Sequence, residues 1–274
     1  MKGQEIHTMI EGNKLLLDHF VCSMLVDMYA RCGSLATAQK AFDKLRDRHV
    51  VSWTMLLTGY EEHGCSKEAI HCFRQMIVEG VSPNVVTFIG CLKACGSIGA
   101  SNVGIEIHAE IEKRGLLNMD DIGNTLVNMY AKCGSLCASQ RVFESLPVRG
   151  LVSWNALITG YSKVGSTKDV FLNFYRMMAE HIEPDSITFL IILSACNRAG
   201  VFNESRTYFE SMSKHFGISP HIEHHTCVVD TYGRAGRLDK VISMMKEMPF
   251  DPDSAVYHTL LGVSRRWGHV ILGE

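Results

Sequence analysis

Cysteine and histidine side chains are the first candidates for metal chemistry in this sequence. The 274 residues include 10 cysteines and 13 histidines, but no two cysteines form a Cys-x-x-Cys pair. Two His-x-Glu sequences, at His181 and His221, match one half of a catalytic zinc site whose other half is Cys-x-x-Cys. The histidines between 215 and 225 match no closed zinc set either. We therefore expect no metal and no cofactor, and interpret the cysteines as buried thiols of a reducing compartment.

A basic residue stands two positions before the turn glycine in five of the seven predicted repeats. These residues are Arg31, Lys132, Lys163, Arg198 and Arg234. Equivalent cations along a repetitive chain could contact successive phosphates of a nucleic acid. Alternatively, each cation only stabilises a helix C-terminus, an effect of about 0.3–1 kcal/mol. The two roles are compatible, and the recurrence favours phosphate contacts.

The same glycines belong to a series that divides the chain into helical hairpins. They recur every 31 to 36 residues, at Gly33, Gly64, Gly99, Gly134, Gly165, Gly200, Gly236 and Gly268. Each glycine follows one amphipathic segment, and glycine is the preferred residue where a helix ends in the left-handed conformation. The pattern predicts an all-α protein, an α-solenoid (superhelix) of helix-turn-helix repeats with no sheet.

The boundaries of the predicted repeats follow from a longer period in the sequence. Residues 120–161 nearly copy residues 19–60, so that Trp53 and Trp154 lie 101 residues apart. If each repeat begins 14 residues before its glycine, seven repeats occupy 19–253 as 19–49, 50–84, 85–119, 120–150, 151–185, 186–221 and 222–253. Residues 1–18 are then the second half of a truncated repeat, and residues 254–274 begin a further element that stops short.

Composition argues against two classes of protein. No run of 18 apolar residues is present, so we expect no membrane span. The net charge of −2 and the pI of about 6.7 argue against binding nucleic acid through bulk charge, although a local basic stripe remains compatible. No targeting segment is visible, and we expect the chain to be a fragment whose import signal lies outside it.

Several strings in the sequence resemble the plant pentatricopeptide repeat family, in the subclass that alternates repeats of 35, 35 and 31 residues. They include VVSWTMLLTGY, LVSWNALITGY, MYAKCGSL, ITFLIILSAC and MPFDPD. Uniform 34-residue tetratricopeptide repeats would not produce the 31-residue spacing. Residues 254–274 look like the start of the subclass's C-terminal E-type extension. In relatives this extension can lead to a cytidine deaminase domain, whose zinc ligands the chain lacks.

The resemblance implies that single-stranded RNA is read by the fifth and the last residue of each repeat. By the family's code, Thr54/Asn84 implies adenine, Asn155/Asp185 uracil and Thr226/Asp253 guanine. Ser23/His49 and Asn124/Gly150 depart from the code and leave their bases open. The alternative is that these residues are ordinary helix caps and turn residues. Three pairs that match the code favour RNA reading.

Two functions remain as hypotheses. An intrinsic enzyme is the weakest third hypothesis, because the sequence offers neither a nucleophile–base pair nor a set of metal ligands. The first is sequence-specific binding of single-stranded organellar RNA, as the recognition factor for cytidine-to-uridine editing or related RNA processing. The resemblance then implies a mitochondrial or chloroplast location, with a deaminase or another editing-complex protein as a possible partner of the C-terminal extension. The second is a helical-repeat scaffold that binds a protein.

Overall fold

The computed structural model describes residues 19–249 and 254–267, and every regular element in these ranges is an α-helix. The predicted half-repeat at 1–18, Asp253 and the predicted chain end at 268–274 lie outside the described residues. The chain divides into two compact units, 1–148 and 149–274.

Within its described residues, the first unit contains four helical hairpins. The helices are α1 (His19–Arg31), α2 (Leu35–Asp43), α3 (Val50–Glu62), α4 (Ser66–Val78), α5 (Val85–Ile98), α6 (Ser101–Lys113), α7 (Asp120–Lys132) and α8 (Leu136–Ser145). Each odd-numbered helix packs on the second helix of its own hairpin, and α1, α3, α5 and α7 pack on one another in that order. This stacking is the arrangement of an α-solenoid.

The second unit repeats this arrangement with three hairpins and one further helix in its described part. The helices are α9 (Leu151–Lys163), α10 (Thr167–Ala179), α11 (Ser186–Ala199), α12 (Phe202–Phe216), α13 (Ile222–Arg234), α14 (Leu238–Glu247) and α15 (Ser254–Trp267). Helices α9, α11, α13 and α15 pack on one another in that order.

The turn inside each hairpin is made by the recurring glycine. Seven of the eight glycines have φ between 70° and 80°, and Gly268 lies outside the described residues. At Gly33 the backbone N–H groups of Gly33 and Ser34 donate to the carbonyls of Ala30 and Tyr29, which satisfies the end of α1. From α3 on, the first helix of each hairpin begins where a predicted repeat begins, at residues 50, 85, 120, 151, 186 and 222. The division into repeats itself stays a prediction.

Aromatic side chains on the first helices form the centre of each unit. Trp53 is 1% exposed and meets Phe42 of the preceding hairpin edge-on, with 4.5 Å between ring centroids. Trp154, the equivalent residue of the second unit, is fully buried. The first helices approach closely, since a Cβ at Gly59 would lie 2.4 Å from the Cβ of Ala30. The buried side of α3 therefore faces its neighbours.

Candidate nucleic-acid interface

Thr54 and Asn84, the first predicted reading pair, are joined through a third side chain. Asn84 caps α5, and its Oδ1 accepts hydrogen bonds from the Thr87 backbone N–H (2.9 Å) and from Thr87 Oγ1 (2.8 Å). Thr54 Oγ1 lies 2.9 Å from Thr87 Oγ1 and donates to the Val50 carbonyl at 2.7 Å. The two predicted readers thus share Thr87, although they do not bond to each other directly.

Asn155 and Asp185 form the same constellation with a direct contact. Asn155 Nδ2 donates to Asp185 Oδ1 at 3.0 Å, and Thr188 Oγ1 donates to Asn155 Oδ1 at 2.7 Å. Asp185 caps α11 through Thr188, whose backbone N–H and Oγ1 each lie 2.8 Å from Asp185 Oδ1. Asn155 comes from α9, so packing of α9 on α11 creates the constellation.

The environment of Asp185 keeps its carboxyl group ionised. Burial by itself would raise the pKa of Asp185, because it removes water from the charged form. The hydrogen bonds that the carboxylate accepts from Thr188 and Asn155 outweigh burial, and the pKa lies below its ordinary value. All of these donors converge on Oδ1. Within the described residues Asp185 Oδ2 has no hydrogen-bond partner, so it is available to a ligand.

The remaining predicted readers occupy equivalent places on the helices. Thr226, on α13, is half-buried and donates to the Ile222 carbonyl at 2.8 Å, while its predicted partner Asp253 lies outside the described residues. Ser23 on α1 and Asn124 on α7 are half-buried. The two weaker last-position residues stand immediately before a first helix, His49 before α3 and Gly150 before α9.

Two kinds of residue next to these pairs were missed by the sequence analysis. The first is the threonine at the third position of a helix, Thr87 or Thr188, which an Asx-x-x-Thr capping signature could have revealed. The second is an exposed aliphatic residue at the second helical position. These side chains are 51% exposed at Val51, 53% at Val86, 64% at Val152 and 58% at Ile187. They offer apolar surface to the face of a base.

The five predicted phosphate-binding cations are all exposed, in the last turn of a first helix, but their partners differ. Arg31 pairs with Asp27 at 2.9 Å, and Arg234 pairs with Asp230 at 3.0 Å, each within its own helix. Arg198 donates to Ser162 of the preceding first helix. Lys132 and Lys163 have no ion pair within the described residues. The two lysines are therefore the cations most available to a phosphate.

The histidine and cysteine residues do not assemble into a metal site in the described ranges. His181 is an exposed turn residue, and His224 is buried with its Nε2 2.9 Å from the Ser186 carbonyl oxygen. All ten cysteines are free thiols. The prediction that they are buried is right for five of them and wrong for Cys32 and Cys137, which are exposed because they lie in and next to the turns.

No helix in the described part of the chain is sufficiently long and apolar to cross a membrane.

Family models match three stretches of the chain. A model described as PPR repeat family matches residues 48–97 and 149–198, and a model described as PPR repeat matches residues 223–251. Both longer matches cover a predicted 35-residue repeat and all but the last residue of the first helix of the next one. They therefore include the reading pairs Thr54/Asn84 and Asn155/Asp185.

Curated relatives and solved structures agree with these matches. The chain is 39% identical to the chloroplastic pentatricopeptide repeat-containing protein CRR2 of Arabidopsis thaliana, over 100% of the chain and 42% of that protein. It is 36% identical to a putative mitochondrial pentatricopeptide repeat-containing protein of the same plant, over 99% of the chain and 44% of the relative. The chain thus spans less than half the length of these relatives.

Among solved structures, the pentatricopeptide repeat protein PPR10 in complex with an 18-nt psaJ RNA element matches with a TM-score of 0.82 at 18% identity. The match covers 99% of the chain and 41% of PPR10. The structure of PPR10 from maize matches with a TM-score of 0.67 at 20% identity, over 89% of the chain and 38% of PPR10. At these identities the likeness concerns the fold.

Proposed function

Because the chain belongs to the pentatricopeptide repeat family, we propose that it binds single-stranded RNA in a sequence-specific manner. It would act as the recognition factor for organellar cytidine-to-uridine editing or a related RNA-processing step. The relatives CRR2 and PPR10 motivate this proposal, since one is named chloroplastic and the other is described in complex with RNA. The chain would supply recognition, and a deaminase or another editing-complex protein would supply the chemistry.

The observation that carries the proposal is the atom each last-position residue leaves available. In both Asn84 and Asp185, Oδ1 accepts the hydrogen bonds of the helix cap. Nδ2 of Asn84 and Oδ2 of Asp185 have no hydrogen-bond partner in the described residues. An amide Nδ2 only donates, whereas an ionised carboxylate oxygen only accepts. Asn84 therefore suits a base whose ring nitrogen accepts, such as adenine, and Asp185 suits one with a ring N–H, such as uracil.

Exposed aliphatic residues support the same assignment. Val51 precedes Thr54 on α3, Val86 follows Asn84 on α5, and the corresponding residues Val152 and Ile187 flank the second pair. An apolar surface beside a polar reader lets a base keep its ring covered while its edge forms hydrogen bonds. Protein recognition of single-stranded RNA combines such contacts to the ring with hydrogen bonds to the base edge.

The RNA sequence that the chain is proposed to bind follows from counting one nucleotide per repeat, starting at the repeat 50–84. With the subclass of 35-, 35- and 31-residue repeats, the expected sequence is A-N-N-U-N-G, in which Thr226 and Asp253 read the final guanine. The subclass, the E-type extension and a mitochondrial or chloroplast location are parts of this proposal.

The substitution Asp185→Asn tests the proposal directly. It keeps the size of the side chain and the capping Oδ1, and it replaces the accepting Oδ2 with a donating Nδ2. We expect the base preferred at the fourth nucleotide to change from uracil to cytosine, whose ring nitrogen accepts. A good base contact discriminates by about 1–3 kcal/mol. The measurement is a competition binding assay with four RNAs that differ only at the fourth nucleotide.

The control is Asn84→Asp, which makes the opposite change in the first pair. We expect it to alter the preference at the first nucleotide, from adenine to guanine, and to leave the fourth unchanged. If the unaltered protein ranks the four bases equally at both nucleotides, base reading is wrong. The protein-binding scaffold would then be the better account of the chain.

A further inference from the structure

The threonines Thr87 and Thr188 occupy the same place in the two units and contact both members of a reading pair. Each is fully buried at the third position of a first helix. Thr87 Oγ1 lies 2.9 Å from Thr54 Oγ1 and 2.8 Å from Asn84 Oδ1. Thr188 Oγ1 lies 2.7 Å from Asn155 Oδ1 and 2.8 Å from Asp185 Oδ1. One buried hydroxyl thus joins two side chains that are 30 residues apart in the sequence.

The hydroxyl of Thr188 restricts what the two readers can present. It accepts a hydrogen bond from the Asp185 backbone N–H at 3.1 Å, so its own proton is directed at Asn155 Oδ1 or Asp185 Oδ1. Rotating the Asn155 amide by half a turn would place an NH₂ group against Thr188 and an oxygen against the Asp185 carboxylate. The second contact would be repulsive, so the amide is held with Nδ2 towards Asp185.

We propose that Thr87 and Thr188 are positioning residues that set base selectivity from beneath the reading pairs, without touching RNA. The Thr188 hydroxyl holds Asn155 through its Oδ1, while the Asp185 carboxylate selects the orientation with Nδ2 towards it. The Thr188 backbone N–H and Asn155 Nδ2 then occupy Oδ1 of Asp185, so that Oδ2 of the carboxylate is left for the ligand. Thr87 contacts Thr54 Oγ1 and Asn84 Oδ1, which holds the Asn84 amide with Nδ2 available to a base. This inference rests on the proposed function, since it concerns the selectivity of the same site.

The serines at the third position of α3 and α9 show that this arrangement is not a general property of the helix start. Ser52 Oγ donates to the His49 carbonyl at 2.9 Å, and Ser153 Oγ donates to the Gly150 carbonyl at 2.8 Å. Each serine thus donates to the backbone three residues earlier. The link between two readers occurs where a threonine follows an Asn or Asp cap.

The test removes the hydroxyl of Thr188 while keeping its shape, in the variant Thr188→Val. The Thr188 backbone N–H can still cap Asp185, the buried methyl group is retained, and a second methyl group replaces the hydroxyl. We expect the preference for uracil at the fourth nucleotide to fall about fivefold, the effect of one lost neutral hydrogen bond. Selectivity at the first nucleotide should stay unchanged. The readout is the ratio of dissociation constants for RNAs that differ at one nucleotide, together with the thermal unfolding curve of each variant.

Three further variants separate positioning from stability. Thr188→Ser keeps the hydroxyl and should retain most of the uracil preference. Ser153→Ala removes a hydroxyl from the same place of α9 and should leave the ratio unchanged, because that hydroxyl bonds only to backbone. Thr87→Val should reduce the preference for adenine at the first nucleotide alone, which provides a second test if Thr188→Val does not fold.

The possible outcomes distinguish this inference from the proposed function. If the unaltered protein shows no base preference, the proposed function fails and the inference fails with it. If the unaltered protein prefers uracil and Thr188→Val keeps the same ratio, only the positioning role is overturned. A Thr188→Ser variant that loses selectivity as fully as Thr188→Val would also overturn it, because the hydroxyl would then not be the group responsible.

Discussion

At the scale of single residues, the capping of α11 and the reading of a base draw on different oxygens of one carboxylate. Asp185 Oδ1 accepts from Thr188 and Asn155, and Oδ2 has no partner in the described part of the chain. A capping carboxylate is also favoured at a helix N-terminus by the helix dipole. The charge that stabilises the helix is therefore the charge that an RNA base would meet.

The pKa of Asp185 leads to a prediction about acid. A carboxyl group whose folded-state pKa is lowered stabilises the fold above its unfolded value of about 3.9, and this contribution is lost as pH falls through the folded pKa. We therefore expect acidification to destabilise the unaltered protein more than Asp185→Asn. The measurement is the free energy of unfolding of both proteins, from urea titrations at several pH values.

The pH dependence of RNA binding should reflect the same ionised carboxyl group of Asp185. Because the carboxyl stays ionised above its lowered pKa, the preference for uracil should be the same at about pH 5 as at about pH 7. Asp185→Asn serves as the control, since its amide has no carboxyl proton to gain and its base preference should be the same at both pH values. A uracil preference that disappears between pH 7 and pH 5 would contradict the hydrogen-bonding pattern around Oδ1.

At the scale of elements, the ends of the second helices show one residue in an unfavourable conformation. His181 follows α10 with φ of 61°, and Gly80 follows α4 with φ of 75° at the equivalent place of the first unit. At both sites the next residue donates its N–H to a carbonyl five residues earlier, Ile182 to Met177 and Val81 to Met76. This is the Schellman motif, whose left-handed position favours glycine.

The two turns form a matched pair for mutation. We expect His181→Gly to stabilise the protein by roughly 0.5–1 kcal/mol, because the left-handed conformation costs a residue with a Cβ about 1–2 kcal/mol and glycine loses about 0.5–1 kcal/mol in entropy. Gly80→Ala should destabilise it by a comparable amount, although its Cβ would meet open space. Both values come from urea unfolding. Equal stability of the His181→Gly variant and the unaltered protein would mean that the left-handed conformation of His181 has no net cost in this turn.

At the scale of the whole molecule, an acidic protein is proposed to bind a polyanion. The net charge is −2, so attraction to RNA must come from local cations rather than from total charge. The first helices supply such cations at their C-terminal ends, but Asp27 and Asp230 neutralise Arg31 and Arg234. Lys132 and Lys163 lie in equivalent places without an acidic partner in the described residues.

The salt dependence of RNA binding measures how many of these cations contact phosphates. Five contacts would give a slope of log affinity against log salt of about −3.5, at about −0.7 for each contact. We expect Lys132→Gln together with Lys163→Gln to make the slope less negative by about 1.4, without changing the order of preferred sequences. Arg31→Gln together with Arg234→Gln should change it less, because their ion pairs must first be broken.

Two lysines on second helices provide a control with the same change in charge. Lys67 on α4 and Lys168 on α10 are exposed and equivalent by the 101-residue period. If Lys67→Gln with Lys168→Gln changes the slope as much as the variants at Lys132 and Lys163, net charge rather than the row determines binding. An unchanged slope after replacement of all five cations would mean that the row only stabilises helix ends.

Much of the architecture was determined by the sequence alone. The glycine series predicted the turns, and from α3 on the first helix of each described hairpin begins where a predicted repeat begins. The hydrophobic periodicity of a helix and the left-handed glycine that ends it are local signals, because each depends on residues close together in the sequence. The membership in the pentatricopeptide repeat family was likewise recognisable from short strings, and the family models confirm it.

Only the tertiary structure decided how the polar residues are used. It brings Asn155 of α9 to Asp185 and Thr188 of the next hairpin, and it pairs two of the five predicted phosphate cations with acids of their own helices. It also exposes Cys32 and Cys137, which composition alone assigned to the interior. Hydrogen bonds and ion pairs form only within a few tenths of an ångström of their preferred distances. The packing of one helix on the next fixes distances to that precision, whereas a residue pattern fixes only the face on which a side chain lies.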